Sequence, residues 1–520
     1  MMRLTIVFFS SLLLLVATPL YADKALKDSL NTLSSSGTLH AAFSTQRFYD
    51  TTTSGFVWNE FMLAELNQAI EQSETHGLMP SDYHQRDLLA DHLSHAERDI
   101  LATDAYLSLA GHLLGGKLNP VSMEPTWTVK GRERDLVGYL KISLQDKSIA
   151  YSLEQLAPQQ TSYRALRDSL SVNRSMTVAD EQEGIPAGVL LKPSMRDPRV
   201  IQLRRRIQLI ENSKATDEDE LYDEPLIHAV KRFQKSNNLE TDGVVGTATL
   251  AALNRSPQDR INQIRVNLER WRWLPDDLGP RHILVNIANY QLNANGSDNN
   301  SQQHEVVVGK TYRQTPVFSA TMSYVVLNPW WETPNKLARQ DLLPKFQKDP
   351  SVVSKLGYQI IDNTGIILNN DEIDWSKYSS KHFPFRVRQQ PGTQNAMGQV
   401  KLIFPNKHDV YLHDTPARDL FNKTRRDFSS GCIRVKNPID LVQWALKNNP
   451  EWSLEKINEL LESGKETIIN LKSRIPVHLI YLTVIADTEA QNIRFIDDIY
   501  ARDERVLNAL NIPPEHIATP

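Results

Sequence analysis

The spacing of apolar positions divides this chain into a helical first part and a β-rich second part. Between Asn59 and Ile70, the residues Phe61, Leu63, Leu66 and Ile70 recur at helical spacing. Ile100 to Leu114 is a second apolar-periodic segment, which Gly115-Gly116 should stop. A third helix is predicted around Leu153 to Leu170. Further on, one helix carries Val200, Leu203, Ile207 and Ile210, and another carries Leu226, Ala229, Val230 and Phe233. An acidic loop, Asp217 to Glu224, lies between them. After a glycine turn, Asp242-Gly243-Val244-Val245-Gly246, Thr247 is placed to cap a short helix ending near Leu253.

The texture changes near Arg281. Ile283, Val285 and Ile287 alternate with polar residues, which predicts a strand. Asn293 to Gln303 is rich in Asn, Ser and Gly and reads as a loop, and β character resumes at Val306 to Val308. Val325 to Leu327, Lys401 to Phe404 and Val477 to Val484 are further strand candidates, and Lys336 to Phe346 reads as helix. Residues 487 to 520 are polar and partly helical. The pattern as a whole is multidomain α+β.

The N-terminus reads as a targeting signal. Arg3 precedes an apolar run from Leu4 to about Ala17, short for a membrane span and suited to a signal core. Leu20-Tyr21-Ala22 puts a small residue before a cut at Asp23, and no cysteine nearby allows a lipoprotein anchor. An uncleaved membrane anchor is the alternative. Either way the remainder is expected outside the cytoplasm.

Composition narrows the picture. With 40% hydrophobic and 23% charged residues, the chain is ordinary globular protein. A net charge of −4 and the lack of a long Lys/Arg block give no reason to expect nucleic-acid binding. There is one cysteine, Cys432. Exported chains usually pair their cysteines or lack them, so a lone thiol asks for a reason. Burial as a small apolar residue is the bland one.

Its neighbours point to chemistry instead. Val410 to His413 reads as a strand end on which Tyr411 and His413 share the open face. Ser430-Gly431-Cys432 reads as a tight turn that delivers the thiol, with Gly431 and Cys432 N–H groups available to a developing oxyanion. Ile433 and Val435 would be buried, leaving Cys432 and Arg434 on the other face. Asn437-Pro438 then starts a helix, with Asn437 as its cap. A thiol is mostly protonated at neutral pH, so His413 within reach would take its proton and return it to a leaving amine. Arg434 offers a fork of donors to a carboxylate. No His-Glu-x-x-His string or zinc-spaced cluster points to a metal hydrolase, and no metal or other cofactor is expected.

The string His413…Ser430-Gly431-Cys432-Ile433-Arg434 closely resembles the active-site signature of the L,D-transpeptidase (YkuD-type) family. "RQQPGTQNAMGQVKLIFPN" (Arg388 to Asn406) and "NIANYQLNA" resemble its core, so the resemblance spans about residues 281 to 475. "AVKRFQKSNNLETDGVVGTATLAALN" resembles the peptidoglycan-binding domain type 1. Together with the helical N-terminal region, the chain resembles the large periplasmic subgroup of Gram-negative bacteria. The implied layout is a signal peptide (1–22), a helical scaffold (23–195), a peptidoglycan-binding-like domain (196–256), a linker helix (257–280), a mainly β catalytic domain (281–486) with a helical capping insertion (335–385), and a C-terminal tail (487–520).

The resemblance implies that Cys432 is the nucleophile and His413 the general base and acid. Gly431 and Cys432 would supply oxyanion donors, and Ser430, Arg434, Tyr411 and Trp331 would contact substrate. It implies peptidoglycan stem peptides as partners, D-Ala released from a tetrapeptide donor, a thioester, and a 3→3 cross-link; other wall-synthesis enzymes are further candidate partners, and carbapenems are expected to acylate Cys432. Many members have His where this chain has Ser430, which leaves that position's role open. The insertion reads as a lid, or as a stabilising decoration with Trp330 and Trp331 as core aromatics. A hydrolase on the same site, such as an L,D-carboxypeptidase, and a non-catalytic wall-binding protein are the other readings. The latter would have no need of both His413 and Cys432.

Overall fold

A computed structural model describes residues 12–52, 55–175, 184–211, 219–237, 239–296, 301–487 and 492–514. Most of the apolar run Leu4 to Ala17, and the acidic segment from Asp217, begin outside the described residues. Among the described residues no helix is long and apolar enough to cross a membrane. The chain forms two compact units.

The first unit takes the chain up to Pro125, Val129–Asp276, and Leu482 onward. Its centre is the helix His95–Gly115, started by a Ser94/Glu97 capping box and ended at Gly116. Gly116 has φ +94°, and a Cβ there would meet Glu269 and Trp273 at 2.6–2.8 Å, so the stop requires glycine. Helix Glu60–Gln72 packs on this centre, and Thr161–Ser175 packs on helix Pro257–Arg272, with Leu66, Ile70 and Leu166 in the shared core. The helix expected over Leu153 to Leu170 is two, Ile149–Glu154 and Thr161–Ser175. Pro158 separates them, because it disfavours helical backbone in the residue before it.

Helices Arg199–Glu211, Glu224–Ser236 and Thr247–Leu253 close over a separate core of Val200, Leu203, Leu226, Val230 and Phe233. Asp223 caps the second helix through Leu226 N (3.1 Å). Thr247 does not cap the third; it is the first helical residue, with Gly246 before it. The glycine turn is instead held by Gln234, which donates to Asp242 (2.9 Å) and accepts from Gly243 N (2.9 Å).

The helix Pro257–Arg272 is a core element: Ile264 and Leu268 join the main helical core, and Glu269 and Arg272 form a fully buried ion pair at 2.6 Å. The polar C-terminal stretch belongs to the same unit. The hairpin Val484–Asp487 with Asn492–Phe495 packs on that core, and Lys117 Nζ donates to the carbonyl of Leu510 (2.9 Å).

The second unit is Thr126–Thr128 with Asp277–Tyr481. Its strands are β1 (His282–Asn286), β2 (Gln291–Asn295), β3 (Gln302–Gly309), β4 (Phe318–Leu327), β5 (Trp331–Glu332), β6 (Tyr358–Ile361), β7 (Arg386–Gln389), β8 (Val400–Ile403), β9 (Leu412–His413), β10 (Asp427–Ser429), β11 (Ile433–Val435) and β12 (Thr467–Ile480). Nine of them form one sheet in the order β10-β3-β11-β9-β8-β4-β12-β1-β2, and a β2–β3 pairing closes it on itself. The expected loop Asn293 to Gln303 is largely this hairpin; β2 extends to Asn295 and β3 starts at Gln302, and its tip lies outside the described residues. Backbone pairing overrode the low strand propensity of Asn and Gln.

β5, β7 and β6 make a second, three-stranded sheet. With the helical run Asn335–Lys348, which includes one wide π turn at Ala338–Leu342, it encloses an apolar core of Trp331, Phe346, Val353, Trp375 and Phe385. Trp330 lies outside that core, half-buried, with the Arg388 guanidinium 4.6 Å above its ring.

Candidate active site

β8, β9 and β11 are adjacent, and their register assembles the site. Leu412 pairs with Ile433 and Leu402, all fully buried, so their neighbours face the other way. His413 pairs with Arg434 on one side and Lys401 on the other. One step back, Ile433 N donates to Tyr411 O (3.1 Å), which sets Cys432 beside Tyr411. Lys401, His413 and Arg434 thus form a row, with Tyr411 and Cys432 next to it.

The turn before β11 is tightly specified. Gly431 has φ +118°. Ser429 Oγ donates to Cys432 O (2.6 Å) and accepts from Gly431 N (3.1 Å), while Thr315 Oγ1 donates to Gly431 O (2.9 Å). The Gly431 N–H, expected as an oxyanion donor, here donates within the turn to Ser429 Oγ. The Cys432 N–H has no partner among the described residues. Asn437 also differs. It sits at φ +51° and makes no cap bond, so the helix Pro438–Ala445 starts from a left-handed residue rather than an Asn side-chain cap.

The half-buried Cys432 Sγ lies 3.5 Å from Asp409 O. Burial pushes the thiol above its usual range, while the N–H and O–H of Tyr411 and the charges of Lys401 and Arg434 pull the other way. The thiol's hydrogen-bond partner is the Asp409 carbonyl, with Tyr411 beside it, and among the described residues no bond joins it to His413. Burial, the Cys432 charge and the neighbouring sulfur push the Tyr411 phenol well up, with the Trp331 indole opposing. Tyr411 also packs against the core of the insertion.

His413 is 2% exposed, with its ring 6.0 Å from that of Tyr411. Burial first, and then the Arg434 charge, bring its pKa down to about 3, against the carbonyls of Asp414 and Met397 that favour the protonated ring. Its Nδ1 donates to Asp414 O at 2.5 Å. The imidazole is therefore neutral, with Nε2 left as the basic nitrogen. The group orienting it is the backbone carbonyl of Asp414. The Asp414 carboxylate accepts from Gln399 N (2.9 Å) and lies 2.7 Å from Arg418.

Among the described residues neither flanking cation forms an ion pair, though the Glu466 charge acts on Lys401. Arg434 Nε is buried without a partner, and the Lys401 ammonium sits 4.3 Å over the Tyr411 ring. Ser430 is exposed and accepts from Arg313 (3.1 Å). The same guanidinium grips Asp341 of the insertion at 2.6 and 3.2 Å. Arg313 therefore ties the cysteine turn to the insertion.

Sequence reading missed Lys401, Arg313, Asp341 and Met397. Only Lys401 left a signal, since it alternates with buried Leu402 in a predicted strand. Among the described residues one His/Asp group, His40, His84 and Asp104, has ligand atoms close enough for a metal. Asp104 is already engaged by His84 Nε2 (2.8 Å), Thr45 Oγ1 (3.0 Å) and the N–H groups of residues 40 and 41 (both 2.9 Å). The two histidine rings stack at 4.6 Å. The group braces the helical unit.

Three family models match the chain: "Scaffold domain" over residues 44–170, "Putative peptidoglycan binding domain" over 196–253, and "L,D-transpeptidase catalytic domain" over 280–456. A curated relative from Haemophilus influenzae, "Putative L,D-transpeptidase", is 38% identical over 252 residues, which is 48% of this chain and 50% of the relative. The chain thus spans about half the length of that relative. A solved L,D-transpeptidase from Xylanimonas cellulosilytica (residues 123–326) aligns with 57% of this chain and 99% of its own, at 15% identity and a TM-score of 0.18. With the signature around Cys432, the matched residues establish that this chain carries an L,D-transpeptidase catalytic domain of the YkuD family together with a peptidoglycan-binding type 1 domain.

Proposed function

We propose that this protein is an exported, periplasmic peptidoglycan L,D-transpeptidase that forms 3→3 cross-links through a thioester on Cys432. The observation that carries the reading is the row Lys401–His413–Arg434 with a lone thiol set beside Tyr411. It combines a nucleophile, a neutral imidazole and unpaired cations suited to a substrate carrying carboxylates.

The Cys432 sulfur gives up its proton to His413 Nε2, directly or through the Tyr411 hydroxyl, and attacks the carbonyl carbon between stem residues three and four. The Cys432 N–H faces the oxyanion. Collapse breaks the C–N bond; D-Ala leaves with the proton from His413, and a thioester remains. The amine of a second stem's diamino acid then attacks the thioester, transfers its proton to the site, and the thiol is restored. Arg434 and Lys401 hold substrate carboxylates. The insertion, tied down by Arg313, keeps water from the thioester. The 196–253 module binds wall material.

The test is incubation of the purified protein with tetrapeptide muropeptides, read by mass spectrometry. The reading predicts 3→3 dimers that vanish in Cys432→Ala. Tripeptide monomers alone would assign a hydrolase to the same site, and products persisting in Cys432→Ala would sink both.

A further inference from the structure

The loop joining β8 to β9 has two faces, and one of them is a binding site that the chemistry at Cys432 does not use. Asn406 builds the loop. Its Nδ2 donates to Phe404 O and Val410 O (2.7 Å each), and its Oδ1 accepts from His408 N (2.9 Å). Asp409 follows in a left-handed conformation, φ +53°. On one side the loop presents Asp409 O to Cys432 Sγ at 3.5 Å. On the other, Lys407 and His408 wall a cleft of about 550 Å³.

The opposite wall is Phe318, Ser319 and Thr321 on β4, with Arg474 at the bulge in β12. The lining holds Lys407, His408 and Arg474 and no Asp or Glu. Lys407 and Arg474 are exposed and make no ion pair or hydrogen bond among the described residues. His408 rests on Phe318, ring centroids 5.0 Å apart, and its Nε2 is buried without a partner. The acid nearest in sequence, Asp409, does not line the cleft; its carbonyl meets the thiol, and its charge acts on His408 and Tyr411. An uncompensated pair of cations in a concave, hydroxyl-bearing wall raises the local concentration of anions.

We propose that this cleft binds a carboxylate of the wall peptide engaged at Cys432, as an anchor remote from the reacting bond. The proposal rests on the transpeptidase reading and adds a subsite to it. Lys407 and Asp409 are two residues apart, so their Cα atoms lie no more than about 7.6 Å from each other, a span shorter than an extended tetrapeptide.

Full-length Cys432→Ala protein, with and without Lys407→Gln and Arg474→Gln, should be titrated calorimetrically with a disaccharide tetrapeptide, its carboxamide form, and inorganic phosphate. The proposal expects the double substitution to weaken tetrapeptide binding at least tenfold, and the carboxamide to bind the parent as weakly. Equal affinity for parent and double variant would overturn it. A double-variant loss seen with phosphate but not with the peptide would overturn the carboxylate assignment. In protein retaining Cys432, acylation at saturating tetrapeptide should keep its rate in the double variant while the half-saturating concentration rises. If the parent is never acylated yet peptide binding still depends on Lys407 and Arg474, the catalytic reading fails and the cleft stands. If acylation proceeds with an unchanged half-saturating concentration, the cleft fails and the catalytic reading stands.

Discussion

Gly398→Ala should disable the site from outside it. Gly398 has φ +59°, and a methyl group there would land 2.2 Å from Asp414 Oδ2 and 2.5 Å from Asp414 Cβ. Asp414 is 2% exposed and its carboxylate is held by Gln399 N at 2.9 Å, so it has nowhere to turn. A left-handed alanine costs about 1–2 kcal/mol. Losing the charge-assisted bond to Gln399 adds about 1.5–3 kcal/mol. The Arg418–Asp414 contact adds little, because Arg418 is half exposed. The sum is roughly 2.5–5 kcal/mol of lost stability. The functional effect follows from position. Residues 397 and 414 supply the two carbonyls that face His413, and the substitution strains both. A shift of about 1 Å in a positioned group costs on the order of 10²-fold in rate. Gly365→Ala is the control: it has φ +95° and nothing within 4 Å, so it carries backbone strain alone. Denaturant unfolding and the rate of Cys432 acylation should be measured for both. The reasoning is refuted if Gly398→Ala unfolds no more easily than Gly365→Ala and is acylated at the parent rate.

Alkylation of Cys432 by iodoacetamide should have a pH midpoint above the ordinary thiol range, since burial is the largest influence on it. Lys401→Met removes a charge that stabilises the thiolate and should raise the midpoint further; an unchanged or lower midpoint contradicts this. Burial keeps His413 neutral with a pKa near about 3, against about 6.5 unfolded, so the unfolded chain binds the extra proton as pH falls. This contribution to instability is absent above about pH 6.5 and grows toward the folded value. Denaturant midpoints at pH 7 and 4.5 should therefore fall less in His413→Gln than in the parent, and an equal fall rules the linkage out. Arg313→Ala should change stability by only about 1 kcal/mol, because Asp341 is 43% exposed. By loosening the insertion it should raise the hydrolysed share of thioester products, and an unchanged product ratio would show that the insertion does not exclude water.

The central pattern was legible because it is local. Alternation placed Leu412 and Ile433 inward and Tyr411, His413, Cys432 and Arg434 outward, and the register agrees. The helical spacing of Leu66, Leu203 and Phe233 likewise marks faces that are buried. What escaped depends on contacts between distant segments. Arg313 meets Asp341 and Ser430 only because a turn, the insertion and the cysteine loop converge. The fate of the Gly431 N–H is fixed by Ser429 Oγ, and no spacing rule predicts that choice. Asn437 and Thr247 have the right composition for caps, yet backbone geometry at each position prevents the side-chain bond. The strands around Asn295 and Gln302 were hidden because hydrogen-bonded pairing with neighbours, not propensity, forms them.

The account stands on acylation of Cys432. Purified protein mixed with excess tetrapeptide donor, quenched in acid and weighed intact, should gain one acyl group on the peptide containing Cys432, with one D-Ala released per group. Cys432→Ser and His413→Ala should show neither at the parent rate. A full-length, folded protein that releases D-Ala with Cys432 replaced, or that gains no mass at Cys432 while doing so, would contradict it.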